Sequence, residues 1–343
     1  MNLPTPDKID VKGKTVLLRL DLDVPIHEVG GKIEVAEDYR LRAAIPTIKH
    51  LIDNECSAVI VLGHRGRPGG KVVESLSLDP VGEYLEKLLE KEFGERAKNL
   101  NILMLANLRF DPGEEANSLE FAKSLAEKGD VYINEAFAAS HREHASIVAL
   151  PQLFKSKAKN SVAAGFHLAE EVRVLSGVLE GPKRPVVVLL GGGKIDKAQF
   201  VSRFLDHAEW VLVGGVLPKV VKSYCRGEDS GMCVAAAHLT PNGEDITPDS
   251  VRNFAEVIKD AGTIIWNGPM GDIDRGFWES TQAIAKIIAE SSAFKVVGGG
   301  DTVHALQKFG LLDKMDYVSC GGGAMLEFLA YGDLPGLRAL GEN

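Results

Sequence analysis

Along nearly the whole chain, short aliphatic and β-branched runs alternate with longer stretches whose apolar residues recur at helical spacing. This pattern of repeated strand–helix units confines the chain to an α/β fold in which helices cover largely parallel sheets. The runs fall into two series. Residues 15–20, 57–62, 101–105 and 130–133 make the first, and residues 185–190, 210–213, 263–266, 294–297 and 317–319 the second. Each series suffices for one sheet, and 343 residues exceed what one ordinary hydrophobic core organises. Helical periodicity covers residues 41–52, 80–91, 118–128, 250–260 and 280–290. Between the series, Leu168, Val172, Leu175, Val178 and Leu179 keep that spacing until Gly181-Pro182 stops it, which makes residues 166–182 the connector of two domains, 1–165 and 183–324.

Composition narrows the class further. Hydrophobic residues make up 45% and charged residues 25%, enough to bury a core in each domain. The N-terminus lacks a basic stretch followed by an apolar one, and no apolar run approaches the roughly 20 residues that span a bilayer; a cytoplasmic location, away from membranes, is expected. Cys56, Cys225, Cys233 and Cys320 form no CxxC pair, which argues against zinc, offers no disulfide framework and suits reduced thiols. A net charge of −9 disfavours nucleic acid, yet leaves room for a local basic pocket around an anionic metabolite.

In doubly wound sheets ligands sit where loops leave the carboxyl ends of strands. In the first half those positions hold Asp21 and Asp23, then Gly63-His64-Arg65-Gly66-Arg67-Pro68, then Asn107-Leu108-Arg109-Phe110, and His141-Arg142. Arg40, at the start of a helical stretch, can join them. Any one of these arginines is by itself best read as a surface ion-pair partner, but four guanidinium forks at strand ends suit a small, highly anionic molecule. His141 and His144 have no third ligand spaced nearby and are read as structural or anion-binding rather than metal-binding. The second half instead collects glycines: Gly191-Gly192-Gly193-Lys194, Gly214-Gly215, Asn267-Gly268-Pro269, Gly298-Gly299-Gly300-Asp301-Thr302 and Gly321-Gly322-Gly323. Such loops let backbone N–H groups approach phosphate oxygens, and a helix that follows adds its positive end. None matches GxxxxGK followed by Ser or Thr, and none has GxGxxG followed by an acidic residue, so neither a P-loop nor a dinucleotide fingerprint is present.

The ordered set Arg19 to Pro25, His64 to Pro68, Asn107 to Phe110, His141 to His144, Trp266 to Gly271, Gly298 to Thr302 and Gly321 to Phe328 resembles the phosphoglycerate kinases nearly end to end. The resemblance implies two Rossmann-like lobes joined by a hinge, with residues 325–343 returning to the first. It further implies a cytoplasmic, monomeric enzyme that exchanges a phosphoryl group between 1,3-bisphosphoglycerate and ADP, with Mg²⁺, and takes only small-molecule partners. By position, His64, Arg67, Arg109 and Arg142 would hold the distal phosphate of the triose, Asp21 and Asp23 its hydroxyl and carboxyl end, and Arg40 would face the group in transit. Lys194 would neutralise the transferring phosphoryl, Lys197 would lie against the nucleotide phosphates, and Asp301 would meet the metal. Thr302, Gly299, Gly300 and the amides of Gly322 and Gly323 would support the phosphates. Gly192, Gly193, Gly214, Gly215, Asn267, Pro269 and Asp274 would shape the base and ribose pocket. No general base is assigned, since the acceptor is already ionised.

Four departures from the family pattern stand out. Asp23 replaces the usual asparagine and adds a negative charge beside a carboxylate ligand, a repulsion of about 1 kcal/mol in water and about 4 at intermediate dielectric for a 4 Å separation. Lys194 and Lys197 are one residue closer than usual, a change of about 100° around a helix. The segment between Lys222 and Asp245 is shortened. Asp272 replaces an apolar residue, and Asp274 a glutamate. These leave open a weakly active homologue that binds a phosphorylated metabolite as a sensor or partner protein, or a kinase for a related acyl phosphate or another nucleotide.

Overall fold

The computed structural model describes residues 3–29, 32–98, 100–158, 160–226 and 231–341. The chain divides into two compact units, Met1–Arg173 with Asp333–Asn343 and Val174–Gly332, so one division falls inside the helix Phe166–Glu180.

The first unit is built on β1 (Thr15–Arg19), β4 (Ala58–Leu62), β5 (Asn101–Met104), β6 (Val131–Asn134) and β7 (Val162–Ala164), in the spatial order β5-β4-β1-β6-β7 with every pairing parallel. A separate ribbon pairs β2 (Ile26–Val29) with β3 (Lys32–Val35). The first two crossovers run outward from β1 on one side and the next two on the other, so the strand order reverses beside β1. That is where a doubly wound sheet opens a crevice at its carboxyl edge. Val16, Leu18, Val59, Val61 and Ile133 fill the core beneath. The helix Pro335–Leu340 packs on this unit: Gly336 N–H donates to the Ser140 carbonyl at 2.8 Å, and a Cβ at Gly336 would lie 2.8 Å from Ile147 Cγ2.

The second unit contains β8 (Val186–Leu190), β9 (Trp210–Val213), β10 (Tyr224–Cys225), β11 (Cys233–Ala236), β12 (Thr263–Asn267), β13 (Phe294–Gly298) and β14 (Tyr317–Ser319), ordered β10-β11-β9-β8-β12-β13-β14. Only β10 runs antiparallel to its neighbour. Every residue of β8 and β12 is buried, as expected of strands covered on both faces. Order reverses between these two strands, which brings the loop after Leu190 beside the loop after Asn267.

All nine expected runs form strands in these sheets. Val162–Ala164 and the alanine-rich Cys233–Ala236 carry too little β-branched character to stand out in sequence. The stretch expected as one helix over 41–52 is two, Tyr39–Ala43 and Ile45–Asp53, because Pro46 lacks an N–H and suits only a first turn. The expectation of reduced, unpaired cysteines is corrected: Cys225 and Cys233 lie opposite each other in the β10–β11 register and form a disulfide, while Cys56 and Cys320 are buried outside any disulfide. Sequence spacing gave no sign of the hairpin that brings the pair together.

Candidate active site

In the first unit the loops after the strands carry a set of basic residues. His64 and Arg109 are buried, Arg40 half-buried, and Arg67 and Arg142 exposed. The Arg109 guanidinium is anchored by Nη1 donating to the Gly66 carbonyl at 2.8 Å and lies 3.3 Å from Glu115 Oε1. Arg40 Nη1 donates to the Asp23 carbonyl at 2.8 Å and sits 3.3 Å from Asp21 Oδ2. Asp23 Oδ1 accepts the Gly66 N–H at 2.9 Å, so the extra carboxylate organises the glycine–arginine loop. Among the described residues Arg67 and Arg142 have no side-chain hydrogen bond or ion pair.

The electrostatics match that geometry. Burial, with the charges of Arg19, Arg109, His144 and Arg40, holds His64 well below the usual histidine range. Burial and the Arg109, Arg19 and Arg142 charges push His144 down to about 3. Both rings are neutral at physiological pH, and the positive charge rests on the guanidiniums. Asp21 Oδ2, Arg109 Nε and His144 Nδ1 are buried without a well-formed hydrogen bond, the first two facing Arg40 and Glu115 as ion-pair partners. Arg65 is different: its guanidinium is occupied by the carbonyls of Ser75 and Ser77, at 2.6 and 2.7 Å.

In the second unit the two loops at the strand reversal interlock through backbone. Gly191 N–H donates to the Asn267 carbonyl at 3.0 Å, Gly192 N–H to Pro269 at 2.7 Å, and Gly215 N–H to Met270 at 2.9 Å. Gly268, at φ +99°, has no room for a side chain, since a Cβ there would lie 2.1 Å from the Gly191 carbonyl oxygen. Lys197 folds back into this junction and donates to Asn267 Oδ1 at 2.8 Å and the Gly191 carbonyl at 3.0 Å; burial lowers its ammonium to about 8. Asn267 Nδ2 donates to the Gly322 carbonyl at 2.9 Å, and the buried Thr302 Oγ1 accepts the Gly268 N–H at 2.7 Å. Lys194, Gly193, Gly300, Asp301 and Gly323 remain exposed at the carboxyl edge.

A cavity of about 240 Å³ opens over these loops, lined by Gly192, Gly193, Gly215, Pro269, Asp274 and Asp301 among others. Asp301 lies in the first turn of the helix Gly300–Lys308, at its positive end. The far end of the cavity is polar: Glu244 is ion-paired with Arg275, and Asp272 Oδ1 accepts the Arg275 N–H. A larger apolar cavity of about 760 Å³ lies under Phe277, Ile246 and Val251. The glycine-lined cavity is the candidate site, because Lys219 and the Asp301 carboxylate line it beside the glycine loops. Sequence reasoning missed Arg19, Glu114 and Ser146, whose buried network lies beneath the basic cluster; the one available signal was a charge inside the apolar run Thr15 to Leu20.

Two parallel-sheet α/β units, one ending in convergent guanidiniums and the other in interlocked glycine loops, define a kinase-like architecture of the phosphotransferase class. The sequence model of phosphoglycerate kinase matches residues 7–233 and 228–331. Phosphoglycerate kinases of Nautilia profundicola and Prochlorococcus marinus MIT 9515 are 37% and 35% identical, each aligned over 99% or more of both chains. The 411 aligned positions of the Prochlorococcus comparison exceed the length of this chain, so that relative carries internal segments absent here. Among solved structures, the enzymes of Coxiella burnetii (TM-score 0.78, 30% identity, 99% of each chain) and Pyrococcus horikoshii (TM-score 0.79, 26% identity, 98% of each chain) share the fold. The chain belongs to the phosphoglycerate kinase family.

Proposed function

We propose that this chain catalyses reversible, Mg²⁺-dependent phosphoryl transfer between 1,3-bisphosphoglycerate and ADP, giving 3-phosphoglycerate and ATP. Family membership across the whole chain carries the reaction type. The separation of guanidiniums from glycine loops supports assigning the triose to the first unit and the nucleotide to the second. Such transfer needs positioning and charge neutralisation more than covalent help. Arg67 and Arg142, without side-chain partners among the described residues, receive the distal phosphate with Arg109 and His64. Arg40, tied to Asp21 and Asp23, faces the group in transit. Lys194 neutralises its equatorial oxygens with the amides at Gly322 and Gly323, and Lys197 joins the glycine loops to the nucleotide phosphates.

Asp301 fits a magnesium ion: its exposed carboxylate lines the glycine cavity and has no hydrogen bond among the described residues, and this ion is commonly held by one or two carboxylates with substrate phosphates and water. When bound, the ion would offset charge on the phosphate oxygens. The sensor reading is not favoured, since relatives aligned over their full length are kinases by name.

The test is steady-state turnover with 3-phosphoglycerate, Mg²⁺ and ATP, coupled to consumption of the acyl phosphate. Robust turnover that Asp301→Ala abolishes is expected; no turnover by folded protein, or full activity in the variant, would refute the reaction or the metal site respectively.

A further inference from the structure

One arginine of the basic cluster reaches no solvent. Arg19, the last residue of β1, is fully buried, and each of its nitrogens has a protein partner: Nε donates to Ser146 Oγ at 3.0 Å, Nη1 to the Leu20 carbonyl, and Nη2 to His64 Nδ1 at 2.7 Å. The direction of each proton along this chain follows from elementary chemistry. A guanidinium only donates, so His64 Nδ1 is the acceptor and the neutral ring carries its proton on Nε2. Ser146 Oγ, having accepted from Arg19, gives its one proton to Glu114 Oε1 at 2.6 Å, and Glu114 Oε2 takes the Ser146 N–H at 2.9 Å. Glu114 is also fully buried and supplies the counter-charge that a buried guanidinium requires.

We propose that Arg19, held by Ser146 and Glu114, is a positioning residue that fixes His64 as its Nε2–H tautomer, so that the ring offers the triose ligand a donor and no lone pair. The tautomer follows from the hydrogen bonds alone; only the ligand's identity rests on the function proposed above. Among the described residues His64 Nε2 has no hydrogen-bond partner. The opposite tautomer would turn a lone pair toward an anion and repel it. A cationic donor at Nδ1 also polarises the ring and strengthens the Nε2–H as a donor. Burial and the charges of Arg19, Arg109 and Arg40 oppose a second proton, so the arrangement does not change across physiological pH. Arg19 does this without touching the ligand.

The experiment is long-range ¹H–¹⁵N correlation spectroscopy of the histidine rings in the full chain, with His64 assigned from the His64→Gln spectrum. In the free protein His64 should show a protonated Nε2 and a bare Nδ1 between about pH 6 and about pH 9; an Nδ1–H ring or an imidazolium in that range overturns the proposal. Arg19→Lys keeps a charge but cannot reach all three acceptors. It should bring the second tautomer into the spectrum and raise KM for 3-phosphoglycerate roughly tenfold with KM for nucleotide unchanged. Ser146→Ala, a milder change, should move both readouts the same way by less. A wild-type tautomer in both variants removes Arg19 from the role. Adding 3-phosphoglycerate to the wild type should shift the Nε2 resonance; no shift would take His64 out of the ligand site and defeat the functional half of the proposal, while turnover of the same sample reports separately on the kinase reading.

Discussion

On the proposed function, Asp23 and Lys197 each set the terms of binding for one substrate. Asp23 Oδ1 accepts the Gly66 N–H, a role an asparagine oxygen performs equally well, so Asp23→Asn should keep the loop and remove a negative charge from beside the triose carboxylate. With a repulsion of about 1 to 4 kcal/mol at 4 Å, KM for 3-phosphoglycerate should fall at least several-fold; an unchanged KM would place the carboxylate away from the ligand. Lys197 titrates near 8 because burial disfavours its charge. As pH rises through that value the ammonium is lost, so KM for nucleotide should climb while KM for the triose stays level, and a flat nucleotide profile up to pH 10 would rule Lys197 out of phosphate binding. The strand-end arginines were legible in sequence because they closely follow obvious strands. Arg19 was not, since in a strand covered on both faces each position looks apolar and the partners that permit a charge, Ser146 and Glu114, are about a hundred or more residues distant.

At the level of elements, the two glycine loops act as one piece. Gly191 and Gly268 approach so closely because β8 and β12 are neighbours at the strand reversal, and the positive φ of Gly268 reinforces the demand for glycine. Gly268→Ala should therefore cost more than about 2 kcal/mol of stability, because the new methyl meets backbone that cannot rotate away. Thermal unfolding should show a clear drop and nucleotide affinity should weaken, whereas a wild-type melting curve would contradict the contact. That the glycine clusters follow strands was readable from sequence. Their mutual support was not: it depends on strand order, which alternating runs leave undetermined. The same limit hid the turn of Lys197 back toward Asn267 and the hairpin that joins Cys225 to Cys233.

For the molecule as a whole, the neutral buried histidines make the native state sensitive to acid. The unfolded chain protonates His144 near its ordinary value of 6.5, whereas the fold resists until about 3. Its contribution is fully present above 6.5 and is lost as pH falls toward 3, by at most about 1.4 kcal/mol per pH unit, less where solvent reaches the ring. His64 acts in the same sense. Glu135 and Asp245, whose carboxyls burial pushes up, act in the opposite one, so the difference between proteins is the measurement. Urea midpoints of the wild type should fall further than those of His144→Gln between pH 7 and pH 5, and parallel curves would refute the account.

The larger sheet also carries a safeguard at its border. It ends on β10, a strand of two residues, and the Cys225–Cys233 bond keeps that strand laid against β11. A border this short exposes few unpaired N–H and C=O groups, and the covalent clasp stops the hairpin from peeling back to bare the longer strand beneath. Among the described residues this border thus offers a second chain only a two-residue strand to pair with, and such pairing is the usual first step of sheet-mediated aggregation.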